Sequence, residues 1–262
     1  IVGVGHFSTY NDVATDNMVR FNSDGTKNPT FNNTCRGFNG PVEVIAQNSV
    51  GQLIVGGNFR AYNGIAKDRM ARLNPDGSLD TSFTVQMHTF LVNDLQANDI
   101  LVQPDDKIIV ASSGRFVNGI KVGAVVRLNL DGSIDTNFNS MNEANGYGTR
   151  GSCSSIVLQP DGKILAAGSV YYGDNNINKK LLRLNADGTL DETFTFGALS
   201  TFQGITKIIL QPDGTILALG LVDTYKSKVI RLLSNGALDP TFTMASTLYF
   251  HNNKALYMFL DN

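Results

Sequence analysis

Two stretches of the chain decide its fold: Gln159-Pro-Asp-Gly-Lys-Ile-Leu165 and Arg183-Leu-Asn-Ala-Asp-Gly-Thr-Leu-Asp-Glu-Thr-Phe194. Each stretch has a turn sequence between apolar residues. In the first, Pro160 presets φ for the second position of a type I turn, and Gly162 suits the left-handed position that closes a bulged hairpin. The second stretch fits the same template around Asp187-Gly188. We name them the first turn and the second turn, and together they predict two hairpins, or four short strands.

Both turns recur along the chain. The second-turn motif begins at five arginines that lie 52, 55, 56 and 48 residues apart: Arg20, Arg72, Arg127, Arg183 and Arg231. The first turn begins at Gln103, Gln159 and Gln211, with weaker versions around Gln47 and His251. Four strands repeated about every 50 residues are typical of a β-propeller blade. We therefore expect an all-β propeller with five visible blades, which are either the whole ring or part of a larger one.

The predicted organisation is one propeller domain over residues 1–262. Its repeats cover approximately residues 1–40, 41–90, 91–150, 151–202 and 203–244, with a partial repeat at 245–262. Both ends fall within a repeat, and residue 1 is Ile, so we expect a piece of a longer protein. Cys35 and Cys153 lie in inter-repeat loops two repeats apart. Neighbouring blades would not bring them together, which favours two free thiols over one disulfide bridge.

Composition agrees with a chain of strands and turns. The 262 residues include 20 Asp, 27 Asn and 26 Gly but only 3 Glu, and turn formers in such excess argue against a helical protein. The net charge of -2 offers no electrostatic reason to expect a nucleic-acid partner. No apolar run approaches the roughly 18 residues that a membrane helix needs, so we expect no membrane insertion.

The second turn also predicts ion pairs across the hairpin. If the Asn of the motif pairs with the residue after the Gly, the Arg faces the Asp eight positions later. The predicted pairs are Arg72–Asp80, Arg127–Asp135, Arg183–Asp191 and Arg231–Asp239, while Arg20 meets Asn28. Opposite charges across a strand pair stabilise it by about 0.2–1 kcal/mol. Because the pair recurs in four repeats, we interpret it as structural and not as a catalytic dyad.

The combined motifs resemble the delta-60 repeat, a β-propeller repeat family. The stretch Gly56-Gly-Asn-Phe-Arg-Ala-Tyr-Asn-Gly64 is also similar to the segment that follows the second strand in that family. Such repeats occur in large secreted or surface proteins of bacteria and in tail-fibre and other virion proteins of phages. The resemblance implies an interaction scaffold and brings no catalytic or metal-binding consensus. The fifth repeat departs from the pattern at Leu233 and Asn235, and the segment around His251 departs further.

A binding face is predicted on the connections between the second and third strands and between successive repeats. These connections differ from repeat to repeat, and variable loops on a rigid scaffold are the usual place for binding. Tyr and Arg side chains on loops suit protein or sugar recognition, although the tyrosines would also serve to pack their own loops. The candidate residues are Tyr10, Arg60, Tyr62, Arg115, Phe116, Tyr147, Arg150, Tyr171, Tyr172 and Tyr225.

Signals for an enzyme, a metal or a cofactor are weak. The three histidines have no metal-ligand spacing, and neither a phosphate-binding loop nor a nucleophile elbow is present. In a calcium-loop alignment of the second turn, the first ligand position would fall on an arginine such as Arg183. A propeller glycosidase would need two or three carboxylates in its central funnel. Acids outside the motifs could supply them: Asp16, Glu43, Asp68, Asp94, Asp99, Glu143, Asp174 and Asp223.

Three functional hypotheses follow. The first is a non-enzymatic structural and interaction module of an extracellular assembly, such as a phage tail or tail fibre, whose partners are other subunits of the virion or a cell-surface glycan or receptor. The second is the same module in a secreted or surface adhesin of a bacterium. The third is a glycan-cleaving propeller enzyme.

Overall fold

The computed structural model describes residues 1–32, 37–87, 96–113, 116–139, 149–172, 177–197, 202–224, 226–243 and 248–249. Within these ranges, all regular secondary structure is β-strand, as the composition predicts. The chain forms two compact units, which we describe separately. Unit 1 contains residues 1–121 and 126–135, and unit 2 contains residues 122–125 and 136–262.

Unit 1 holds the strands of the first three repeats. They are β1 (Val2–Val4), β2 (Thr9–Tyr10), β3 (Val13–Ala14), β4 (Met18–Arg20), β5 (Val42–Gln47), β6 (Leu53–Gly57), β7 (Ala61–Tyr62), β8 (Ile65–Ala66), β9 (Met70–Leu73), β10 (Ala97–Val102), β11 (Ile108–Ser112), β12 (Phe116–Val117), β13 (Ile120–Lys121) and the last three residues of β14 (Val125–Leu128). The main sheets have the antiparallel orders β1-β4, β5-β6-β9 and β10-β11-β14. Separate hairpins pair β2 with β3, β7 with β8 and β12 with β13.

Unit 2 holds the fourth and fifth repeats. Its strands are β15 (Thr149–Leu158), β16 (Ile164–Tyr172), β17 (Ile177–Asn178), β18 (Leu181–Leu184), β19 (Gly204–Leu210), β20 (Ile216–Asp223), β21 (Lys226–Leu232) and β22 (Leu248–Tyr249). In one sheet β16 pairs with β15, β17 and β18, and the other has the order β19-β20-β21-β22.

Both predicted turns form as bulged hairpins. In the second turn of repeat 2, Gly77 N–H donates to Asn74 O at 2.8 Å, and Asn74 N–H donates to Ser78 O at 2.8 Å. Gly77 has a φ of 86°, the left-handed value that this turn requires. In the first turn of repeat 4, Gly162 has a φ of 83° and donates to Gln159 O. Asn74 thus pairs with Ser78 as predicted for the second turn, and Gln159 pairs with Lys163 in the same way across the first turn.

The fourth strand of each repeat is shorter than the turn motif predicts. After the second turn, each of repeats 2 to 5 forms a single bridging pair: Leu73 with Leu79, Leu128 with Ile134, Leu184 with Leu190 and Leu232 with Leu238. The aspartate directly after the bridging residue ends the ladder. In repeat 2, Ser82 N–H donates to Asp80 Oδ1 at 2.9 Å, which bends the chain into a turn closed by the Asp side chain.

Each unit has a core of apolar side chains from its sheets. In unit 1, the ring of Phe38 lies 4.4 Å from the ring of Phe59 and 4.5 Å from that of Tyr62, measured between centroids. In unit 2, Phe194, Phe196 and Phe202 pack with aliphatic residues of β16, β19 and β20. The burial of these rings fixes the sheets on which the connecting hairpins are mounted.

Candidate functional site

The recurrent Arg and Asp residues form a node that is repeated along the chain. Arg72 Nε donates to Asp80 Oδ2 at 2.8 Å, and the Arg72 guanidinium lies 4.9 Å from the centre of the Phe83 ring. The other predicted pairs are also in contact, at N–O distances of 2.8 Å for Arg127–Asp135, 2.7 Å for Arg183–Asp191 and 2.7 Å for Arg231–Asp239. Each of the four carboxylates thus binds an arginine. Among these arginines, Arg72, Arg183 and Arg231 also stack on an aromatic ring.

The same arginines connect successive repeats. Arg20 Nη1 donates to Pro75 O at 2.6 Å, Arg72 Nη1 donates to Leu130 O, and Arg183 Nη1 donates to Ser234 O at 2.8 Å. In each case the acceptor lies in the second turn of the following repeat. One arginine therefore holds its own hairpin and the next one, which is a structural role.

Hydrogen bonding sets the charge state of these carboxylates. Burial alone would raise the pKa of Asp80, but hydrogen bonds from Ser82 and Arg72 outweigh it and lower this pKa to about 2. Burial opposes ionisation of Asp191 as well, yet the hydrogen bonds from Lys163, Thr193 and Arg183 hold its pKa well below the usual range. Both groups are ionised at neutral pH, so neither could act as a proton donor there.

The residues of the predicted binding face differ in exposure and in whether they lie in strands. Arg60 is exposed, whereas Tyr10, Tyr171 and Tyr172 are half-buried. The backbones of Phe116 and Arg150 lie in β12 and β15, and Arg150 pairs with Tyr171. Arg115, Tyr147 and Tyr225 lie outside the described residues.

The expectation for Tyr62 needs correction. Its side chain is 0% exposed, and its hydroxyl donates to Gly77 O at 2.5 Å. The ring fills the core against Phe38. Tyr62 therefore packs between repeats 1 and 2 and is not available to a partner.

In repeats 1 to 3, the connections between the second and third strands are tight hairpins, where the sequence predicts variable loops. Asn63 and Gly64 have φ values of 51° and 80°, and Asn118 and Gly119 have 50° and 76°, as a type I′ turn requires. The signal was available, because Asn-Gly between apolar residues is a strong hairpin signature. Asn63 further fixes its hairpin, since its Nδ2 donates to Asn32 Oδ1 and its Oδ1 accepts from Gly37 N–H, both at 2.8 Å.

These hairpins expose apolar side chains at equivalent positions. Val13, Ile65 and Ile120 each follow the turn of their hairpin, and they are 54%, 50% and 56% exposed. All three lie in unit 1. Apolar side chains on rigid, framework-anchored hairpins are well placed to contact another protein.

A surface groove of about 300 Å³ lies beside the hairpin of repeat 2. Its lining residues are Arg60, Ala66, Lys67, Asp68 and residues 84–86. Lys67 Nζ donates to Phe83 O at 2.9 Å, and burial lowers the pKa of Lys67. The predicted residue Arg60 therefore lines this groove together with Ala66, the residue after Ile65.

The acids considered for catalysis fall into several environments. Burial raises the pKa of Glu43, although the charge of Arg69 opposes the shift. Asp68 accepts from Met87 N–H at 3.1 Å and lies 3.9 Å from Arg69 Nε. Asp94, Glu143 and Asp174 lie outside the described residues. Within the part of the chain that the structure describes, no three His, Cys, Asp or Glu residues are arranged to hold a metal ion.

The structure describes one of the two cysteines. The prediction that Cys153 lies in an inter-repeat loop is wrong, because Cys153 is buried in β15, with its Sγ 3.6 Å from Ser155 O. Cys35 lies outside the described residues. The free-thiol assignment stays a prediction. Across the described ranges, no helix is long and apolar enough to cross a membrane.

A family profile described as "Domain of unknown function (DUF5122) beta-propeller" matches more than half of the chain. The matched segments are residues 1–31, 51–83, 103–138, 159–194 and 211–242. The chain belongs to this family. Each matched segment contains a second turn, so the β-propeller prediction and its five repeats are confirmed. No curated protein matches the sequence.

Several solved structures are similar to this propeller at low identity. An extracellular domain of a hybrid two-component system from B. thetaiotaomicron shares 12% identity and a TM-score of 0.47, over 92% of this chain and 33% of that one. A gluconolactonase from Xanthomonas campestris shares 15% identity and a TM-score of 0.45, over 84% and 66% of the two chains. PorZ, a surface component of the type-IX secretion system of Porphyromonas gingivalis, shares 9% identity and a TM-score of 0.41, over 78% and 27%. These similarities are too distant to carry an argument about function.

Proposed function

We propose that the chain is a non-enzymatic structural and interaction module of a larger extracellular assembly, such as a phage tail or tail fibre. The supporting observation is the row of exposed apolar residues on equivalent, rigid hairpins, Val13, Ile65 and Ile120. The recurrent Arg and Asp residues hold the repeats together, which leaves the variable hairpins to contact a partner. The motifs' resemblance to the delta-60 repeat supports the extracellular setting.

The binding role can be tested with matched variants. One variant replaces Val13, Ile65 and Ile120 by Ser, and a control replaces Val50 and Leu130, which are 66% and 52% exposed on the hairpin turns. Proteins encoded next to this gene are purified, and their affinity for each variant is measured by surface plasmon resonance. We expect a partner to bind the wild type and the control, and to lose affinity for the hairpin variant. Equal affinity for all three proteins would contradict a hairpin binding face.

The setting and the absence of catalysis need separate measurements. An antibody against the chain should label phage tails in electron micrographs of virions from lysates of the source cells. Labelling of bacterial surfaces alone would favour the adhesin. Incubation of the chain with a panel of polysaccharides should release no oligosaccharide. Release that is lost in Glu43→Gln, the acid whose pKa burial raises, would overturn the non-enzymatic proposal in favour of a glycan-cleaving enzyme.

A further inference from the structure

Asn235 stands where the other second turns have Asp. It is followed by Gly236, and it is exposed at the surface of unit 2. Its side chain makes one local contact, in which Oδ1 accepts from Ala237 N–H at 3.0 Å. An Asn-Gly pair is chemically labile because the glycine has no side chain to hinder attack by its own nitrogen on the Asn amide.

Other Asn-Gly pairs in the chain are held more firmly. Asn63 is fixed through both ends of its amide by Asn32 and Gly37. Asn118 Oδ1 accepts from Gln86 N–H at 2.8 Å, and its Nδ2 donates to Gly132 O at 3.1 Å. These partners are distant in sequence, so the amide groups cannot rotate unless the fold opens.

A third pair, Asn39-Gly40, is exposed but also anchored. Asn39 Oδ1 accepts from the N–H groups of Arg60 and Ala61, both at 2.8 Å. The pair at residues 145–146 lies outside the described residues. Among the described Asn-Gly pairs, Asn235 is thus the one whose side-chain amide is held by a neighbouring residue alone.

We propose that Asn235 is a site of spontaneous deamidation in the folded protein. The turn first opens far enough to release the Gly236 N–H from Leu233 O, to which it donates at 2.9 Å. The Gly236 nitrogen then forms a bond to Cγ of Asn235, the Cγ–Nδ2 bond breaks, and the amide nitrogen leaves as ammonia with the proton of the Gly236 N–H. Water then opens the cyclic imide. Breakage of the bond from nitrogen to Cγ yields aspartate, and breakage of the bond from nitrogen to the main-chain carbonyl carbon yields isoaspartate.

The two products have different consequences for the contact between repeats 4 and 5. Aspartate restores the residue found at this position in the other second turns. Isoaspartate lengthens the main chain inside a turn where Thr195 N–H donates to Asn235 O at 3.1 Å and Gly197 N–H donates to Gly236 O at 3.0 Å. Isoaspartate therefore disrupts these hydrogen bonds, whereas aspartate leaves them in place.

The test follows deamidation of each Asn-Gly pair in the whole chain. The protein is incubated at 37 °C and mildly alkaline pH, native or in concentrated urea, and its peptides are analysed by mass spectrometry with a separate assay for isoaspartate. We expect Asn235 to react several-fold faster than Asn39, Asn63 and Asn118 in the native protein, and all four to react at similar rates in urea. The proposal would be overturned if the four Asn residues reacted equally fast in the native protein, or if Asn235 were also the fastest of them in urea.

A stability measurement checks the predicted consequence. After incubation, the wild type should show a second, lower melting transition in proportion to its isoaspartate content, whereas Asn235→Gln should keep one transition. Freshly purified Asn235→Asp should melt close to the wild type. A lower transition that forms equally in Asn235→Gln would contradict the assignment to this residue.

Discussion

The first and second turns share one backbone conformation but have different surroundings. Gly214 in a first turn and Gly77 in a second turn have φ values of 84° and 86°. A Cβ added at Gly214 would have no neighbour within 4 Å, whereas one at Gly77 would lie 2.8 Å from the nitrogen of Asn32. Local sequence therefore produces both turns, but contact with the preceding repeat makes the second turn part of the framework.

Natural variation within the chain agrees with this difference. The first turn of repeat 3 has Asp106 at the position of the glycine, with a φ of 61°. Its carboxylate accepts a hydrogen bond from Ser49 N–H at 2.9 Å, so a larger residue fits there. The five second turns all keep glycine. We expect the first turn to tolerate substitution and the second turn to resist it.

The largest expected difference concerns the Asp residues of the two turns. Asp191→Asn should destabilise the fold by about 4 kcal/mol, because Arg183 and Lys163 would lose a nearly buried carboxylate. Asp161→Asn is the matched change in the first turn of the same repeat, where the side chain is exposed and accepts from Lys163 N–H at 3.2 Å. Its cost should be below about 1 kcal/mol. Urea unfolding measures both values, and equal losses would contradict the comparison.

The glycines should give the next largest difference. Gly214→Ala should cost about 1 kcal/mol, because an L-residue must take a left-handed φ there. Gly77→Ala carries the same cost and about 2 kcal/mol more, because its methyl group would press against Asn32 and Phe31. Thermal and urea unfolding of the two variants measure this difference. If both variants lose the same stability, the close approach of repeats 1 and 2 at Gly77 is not a constraint.

The sequence predicts what is local in this molecule and misses what is not. The register from Arg72 to Asp80 follows from the turn residues, because all the partners lie within one hairpin. The contact of Gly77 with Asn32 joins residues of different repeats, and no pattern in a single hairpin encodes it. The sequence predicts an exposed Tyr62, and this prediction is wrong because the burial of Tyr62 depends on Phe38, which belongs to the preceding repeat.

The candidate site was partly predictable for the same reason. Asn-Gly at positions 63–64 and 118–119 is a local hairpin signal that could have been recognised. Exposure of Ile65 and Ile120 could not, because an apolar residue after a turn is as compatible with a core as with a surface. Only the packing of the hairpin decides between them.

The Asp residues of the second and first turns should also differ in how much they contribute to the loss of stability in acid, and this difference is smaller than the two above. The pKa of Asp80 is lowered to about 2, so the carboxylate stabilises the fold above pH 4, and this contribution is lost as the pH falls towards 2. Between pH 4 and pH 2, the free energy of unfolding of Asp80→Asn should therefore fall by about 1–2 kcal/mol less than that of the wild type. Hydrogen bonds from Thr215 also lower the pKa of the first-turn residue Asp213, but this carboxylate is exposed to solvent, so Asp213→Asn should remove less of the acid sensitivity than Asp80→Asn does. Urea midpoints measured across this range give both slopes, and identical slopes would contradict the assignment.

The smallest effect is expected from a substitution that gives repeat 5 an ion pair found in repeats 3 and 4. Lys107 and Lys163 follow the first turns of repeats 3 and 4, and their ammonium groups lie 2.8 Å from Asp135 and Asp191. Repeat 5 has Thr215 at this position.

Thr215→Lys should let the first turn of repeat 5 reach Asp239, which is held by Arg231 at 2.7 Å. Because the new cation would remain partly exposed, the expected gain in unfolding free energy is about 0.5 kcal/mol relative to Thr215→Met, which supplies similar length without charge. The gain should shrink in high salt, where the ion pair is screened. Equal stability of the Lys and Met variants at low salt would mean that the lysines in repeats 3 and 4 add nothing beyond their aliphatic stems. The second turn would then be held by its own arginine and by the preceding repeat, with no contribution from the first turn.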